Sequence, residues 1–162
     1  MFKNTFTNLV LTLGILAGAQ ANAQVIDHAF AFDSAKDGQN VDVLDYQYGN
    51  SKNVGTRAPR WAVEEGRAIG FENSQGPMLK GEFLFVKWRD KSTGNLFEVK
   101  VADLSERLPE DIENHTVYFT IHANQLFVYL ISPAGVERTA DSANEPRMYL
   151  SRKIKQIYPD VQ

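Results

Sequence analysis

VYFTIHANQLFVYLISP, residues 117–133, consists of two apolar runs broken by a short polar turn. In the first run Val117, Phe119 and Ile121 alternate with Tyr118, Thr120 and His122. After Ala123-Asn124, Leu126, Val128 and Leu130 alternate with Phe127, Tyr129 and Ile131. Period-two patterning with β-branched and aromatic residues is the strand signal, and the turn makes the pair a hairpin. Both faces of the second strand are apolar, so it is expected to be central and covered on both sides.

Upstream, residues 81–89 (GEFLFVKWR) give a second strong strand. Leu84, Val86 and Trp88 share one face, and Phe83, Phe85, Lys87 and Arg89 the other. A turn at 90–94 leads into 95–101, where Phe97, Val99 and Val101 alternate with Glu98 and Lys100. The five-residue connection with glycine near its end is a hairpin loop, and Lys87 and Glu98 are candidates for a cross-strand pair.

The remaining elements are weaker. Residues 25–32 read as a first edge strand, 41–48 (VDVLDYQY) as a strand, and 68–71 as a short strand before a Gly76-Pro77 turn. Residues 103–108 (DLSERL) make one helical turn, capped by Asp103 and stopped by Pro109. Residues 147–158 form either a closing strand with Met148, Leu150 and Ile154 inward or a strand running into a helical turn. The pattern predicts an all-β chain: a small single-domain β-sandwich or partly open β-barrel of about six to eight antiparallel strands, with one short helical turn.

The first 23 residues are set apart. Lys3, the apolar run 9–18 (LVLTLGILAG) and Ala21-Asn22-Ala23 form the three parts of a secretory signal peptide, which predicts a mature chain from Gln24. The apolar run falls short of the ~20 residues that span a bilayer, so no stable membrane insertion is expected after cleavage. Residues 24–162 then make one β-rich domain, large enough for a real core. The whole sequence has no cysteine. Export without disulfides points to the periplasm of a Gram-negative bacterium. Of 17 basic residues, loss of Lys3 leaves 16 against 20 acidic, a balance of −4 that argues against a nucleic-acid partner.

Catalytic patterns are thin. His28, His115 and His122 are the only histidines, and without cysteine they make no zinc set; no metal or other cofactor is expected. There is no G-x-S-x-G elbow, and no glycine-rich phosphate loop. Glu64-Glu65 and Asp42 with Asp45 would point to opposite faces of a strand, unlike the facing acids of a glycosidase.

Aromatic and cationic residues carry the functional expectation. Tyr46, Tyr48, Arg57, Arg60 and Trp61 bracket the polar loop 49–59 (GNSKNVGTRAP), and Tyr, Trp and Arg are the residues of interface hot spots. A second cationic group, Arg147, Arg152, Lys153 and Lys155, could steer an acidic partner, or it could be the solvent side of a strand. The expected function is binding of another protein, as an inhibitor or immunity-type partner of a toxin or hydrolase. The alternatives are a small-ligand or glycan-binding module, and a hydrolase whose carboxylates converge only in the fold.

Overall fold

The alternating runs fold as strands, and the phase of each run decides which side chains meet. The computed structural model describes residues 24–135 and 144–161, so the signal-peptide segment 1–23 lies outside the described residues. The strands are β1 (Val25–Asp33), β2 (Val41–Tyr48), β3 (Phe71–Leu79), β4 (Leu84–Asp90), β5 (Leu96–Val101), β6 (Thr116–His122), β7 (Gln125–Gly135) and β8 (Arg152–Tyr158). They form a five-stranded sheet in the order β3-β1-β6-β7-β8 and a three-stranded sheet in the order β2-β4-β5. The arrangement is sandwich-like and does not close into a barrel. None of the described helices is long and apolar enough to cross a membrane.

The 117–133 stretch supplies β6 and most of β7, paired antiparallel through Val117↔Leu130, Phe119↔Val128 and Ile121↔Leu126. Ala123, at φ 54°, turns the chain between them. On the inner face these six side chains meet Phe30 and Phe32 of β1 and, from the smaller sheet, Tyr46, Tyr48, Leu84, Val86 and Trp88. Phe30 stacks on Tyr48 at 4.8 Å and Phe32 on Phe119 at 4.5 Å. Trp88 is fully buried and donates its indole N–H to the Ala123 carbonyl at 3.1 Å, giving its one polar atom a partner. On the outer face Ala31, Tyr118, Tyr129 and Ile131 form a second cluster with Tyr149 and Ile154. Both faces of β7 are therefore covered, as its doubly apolar pattern requires. In the smaller sheet Lys87 and Glu98 are directly opposed.

Several elements differ from expectation. β1 is no edge strand: it lies between β3 and β6 and runs parallel to β6, with Ala29↔Thr116 through Ala31↔Tyr118 in register. Gly76-Pro77 is no turn but part of β3, opposite His28 and Asp27. Because β3 is the edge of its sheet, a proline without an N–H donor is tolerated there. Two short helices occur rather than one: α1 (Arg60–Glu64) and α2 (Leu104–Arg107). Asp103 makes no capping bond; its carboxylate accepts from Arg107 Nε at 2.9 Å instead. At the C-terminal end the helical turn precedes the strand: Arg147–Tyr149 is a 3-10 turn, Met148 is exposed, and Ile157 of β8 is the buried residue.

Candidate functional site

β2 decides what becomes of the two tyrosines. A bulge at Leu44 shifts its register between Val43 and Asp45. The bulge turns Tyr46 and Tyr48 to the same side as Val41 and Val43, and all four are buried. The expectation that Tyr46 and Tyr48 are contact residues is thereby corrected: both are core. The Tyr46 hydroxyl donates to Glu72 at 3.2 Å, and Tyr48 shares a 3.0 Å hydrogen bond with His28 Nε2. Burial pushes both phenols well above their ordinary range. The same burial holds His28 below its ordinary value, opposed by a 2.8 Å bond from Nδ1 to the Ile26 carbonyl.

The loop after β2 is built, with its own polar centre. Tyr48 N–H donates to the Thr56 carbonyl at 2.7 Å and Ala58 N–H to the Tyr46 carbonyl at 2.9 Å, so the chain returns alongside β2. Ser51 and Thr56 are buried inside the loop. Arg57 closes it by donating from Nη2 to the Ser51 carbonyl at 3.0 Å. Gly55, at φ 84°, passes so near the Glu72 carboxylate that a Cβ would lie 2.5 Å from it. Ser74 Oγ holds the Val54 carbonyl at 2.7 Å, leaving the Val54 side chain outside.

That loop presents α1. Ala62 faces inward and is buried, while Trp61 is 57% exposed and Val63 38%. Arg60 pairs with Glu64 one turn on at 2.6 Å. Arg67 pairs with Glu65 at 2.7 Å and places its guanidinium 5.6 Å from the Trp61 ring centre. These are exposed pairs, which contribute little stability and hold the arginines only loosely. The surface therefore consists of an uncovered indole and a valine with an arginine on either side.

The C-terminal cations do not form one patch. Arg147 precedes β8; its backbone N–H donates to Asp37 Oδ1 at 2.8 Å and its guanidinium lies against Gly38. Arg152 donates from Nη1 to the Pro133 carbonyl. Lys153 and Lys155 are exposed on β8, the free edge of the larger sheet. Charged side chains there discourage edge-to-edge pairing, which is sufficient reason for them.

Asp37 lies in the turn between β1 and β2. Its carboxylate is buried and accepts the Tyr118 hydroxyl at 2.9 Å besides the Arg147 N–H. Burial pushes its pKa up, and the bonds from Tyr118 and Arg147 pull it partly back. Residues 144–150 are thus strapped to the outer face of the larger sheet. Asn144 accepts Thr120 Oγ1 at 2.8 Å and the Tyr129 hydroxyl at 2.9 Å, while Tyr149 meets Tyr118 edge-on at 5.3 Å. No local pattern announces this arrangement, because its partners come from four separate elements.

The carboxylates considered for hydrolysis do not keep the expected faces. The bulge puts Asp42 and Asp45 on the same outer face of β2, opposite Arg89 and Lys87, and Glu64 and Glu65 lie in α1 and at its end, not on a strand. Asp42 pairs with Arg89 and Lys91, Glu64 with Arg60, and Glu65 with Arg67. Among the described residues no three His, Asp or Glu side chains gather as metal ligands do. No family model, no curated protein and no solved structure matches the chain.

Proposed function

We propose that the chain is an exported module that binds another protein, as an inhibitor or immunity-type partner of a toxin or hydrolase would, and that α1 is the centre of its contact surface. The observation that carries this reading is the exposure of Trp61. Of two tryptophans in the sequence, one is fully buried in the core and the other stands 57% exposed on a helix anchored by Ala62. Leaving an indole in water forgoes its burial energy, and a partner that covers it recovers that energy. Tryptophan and arginine together are the residues most enriched where truncation costs binding. Export rests on the 1–23 segment, and the periplasm on export combined with the absence of cysteine.

The test begins with the native exported fraction, where the mature mass should place the N-terminus at Gln24. A partner is captured there and its affinity measured against Trp61→Ala and Arg60→Ala, each first shown to melt like the parent. Affinity should fall about thirtyfold for Trp61→Ala, equivalent to ~2 kcal/mol. Because the other tryptophan is already buried, a blue shift of fluorescence on binding reports Trp61 directly. Unchanged affinity in both variants overturns the reading.

A further inference from the structure

We propose that the outer face of the five-stranded sheet binds a neutral oligosaccharide, one ring in each of two clefts that flank Tyr149. The first cleft, of about 180 Å³, is lined by Ala31, Asp33, Phe71, Asn73, Met148 and Tyr149 among others. The second, of about 150 Å³, lies between Asn114, Thr116, Ile131, Ser132, Arg152 and the same Tyr149. Tyr149 is held in place as the partition, edge-on against Tyr118.

Three features select the ligand class. Each cleft is well below the roughly 300 Å³ at which single drug-sized pockets begin, so the pair suits a chain of small repeating units. The lining offers amides, hydroxyls, the carboxylates of Asp33 and Glu72, the Lys36 ammonium and the Arg152 guanidinium, two charges of each sign. A sugar hydroxyl both donates and accepts, and this mixture answers both roles. The C–H bonds on a pyranose face are weakly positive and match the electron-rich face of an aromatic ring such as Tyr149 or Phe71. Phe71 is 70% exposed and Met148 47%, so the first cleft has an apolar rim open to solvent.

A peptide fits less well. Extended peptides dock by adding a strand at a free sheet edge, through backbone hydrogen bonds. These clefts lie on the face of β1, β3, β6 and β7. Of these, β1, β6 and β7 are paired on both sides, and the 49–59 loop lies against the edge strand β3 through the Ser74–Val54 and Asn53–Pro77 hydrogen bonds. A helix needs one continuous apolar groove, and Tyr149 divides this one.

Maltotriose, cellotriose and chitotriose are the probes, read by amide resonances of the full mature domain. At least one should shift Ala31, Asn73, Thr116 and Ile131 together and saturably. Tyr149→Ala should weaken that binding by about tenfold, and Tyr149→Phe by no more than about threefold. Asn73→Ala, on an exposed residue, should weaken it without disturbing the fold. The proposal is overturned if all three saccharides leave these resonances unmoved. It is equally overturned if binding survives both Tyr149→Ala and Asn73→Ala, or if library peptides occupy these residues while the saccharides do not.

Discussion

The β6–β7 hairpin with its covering strands and the segment 49–67 draw on the same residue types and use them in opposite ways. Around the hairpin, Trp88, Tyr118 and Tyr129 are all but inaccessible, and each polar tip ends on a partner: the Ala123 carbonyl, Asp37 and the Asn144 carbonyl. In the segment 49–67 the inaccessible polar side chains are Ser51 and Thr56, the buried apolar ones are the small Ala58 and Ala62, and the large ring stands outside. One region is held by apolar contact trimmed with hydrogen bonds. The other is held by hydrogen bonds and carries apolar surface as cargo. A side chain's worth to stability therefore depends on which region it occupies, and less on its size.

The largest test is a matched pair of truncations. Trp88→Ala should lose about 3–5 kcal/mol, read as a fall in the urea midpoint. Trp61→Ala should stay within about 0.5 kcal/mol of the parent. If the two variants lose equal stability, the contrast is broken.

Next in size is Asp37→Ala, which strands the Tyr118 hydroxyl and the Arg147 N–H on the hairpin's outer side. A loss of about 1–3 kcal/mol in thermal or denaturant unfolding is expected. Asp37→Asn, which still offers an acceptor oxygen, should lose less. Equal losses would show that both carboxylate oxygens are needed as acceptors, because asparagine keeps the volume but only one of them.

A pH series sharpens the comparison at the seam between β1 and β2. His28 is held below its ordinary value of 6.5. Its contribution is therefore fully present above about pH 6.5 and is lost as pH falls below that, because the unfolded chain takes up the proton more readily. His122 is also held low by burial and contributes in the same direction. His28→Gln should flatten the decline between pH 6.5 and lower values without removing it. A parent profile that rises on acidification through this window would contradict the buried neutral imidazole.

Smallest is Arg57→Ala. Its bond to the Ser51 carbonyl closes the 49–59 loop, and losing it should reduce stability by about 1 kcal/mol. A loop free in solution would show no change at all.

How much could be read beforehand varied with how far each pattern depended on distant partners. Both hairpins were legible because alternation is local and each turn joins neighbouring strands. Residues 41–48 show where alternation misleads: simple period two puts Val41 and Val43 opposite Leu44, Tyr46 and Tyr48. The bulge reunites them, and the switch of phase in VDVLDYQY is the trace it leaves. α1 is little more than one turn, too short to show a helical stripe. Trp61, Arg60 and Arg57 were found by composition and are at the surface, whereas their tyrosine companions were drawn into the core. The parallel neighbour of β1 left no trace, since register between strands that far apart is written in neither of them.

That parallel pairing bears on how the chain reaches its fold. β1 is the first of the described strands and sits between β3 and β6, so one of its sides stays open until β6 arrives, with β2 to β5 coming between. Closing so long a loop has an entropic cost that local contacts cannot offset early, and pairings of this kind slow folding. A nascent or translocating chain that has not yet delivered β6 has a five-stranded sheet it cannot complete. Removing β1 would cut β3 off from the rest of that sheet, where trimming β8 would remove only an edge.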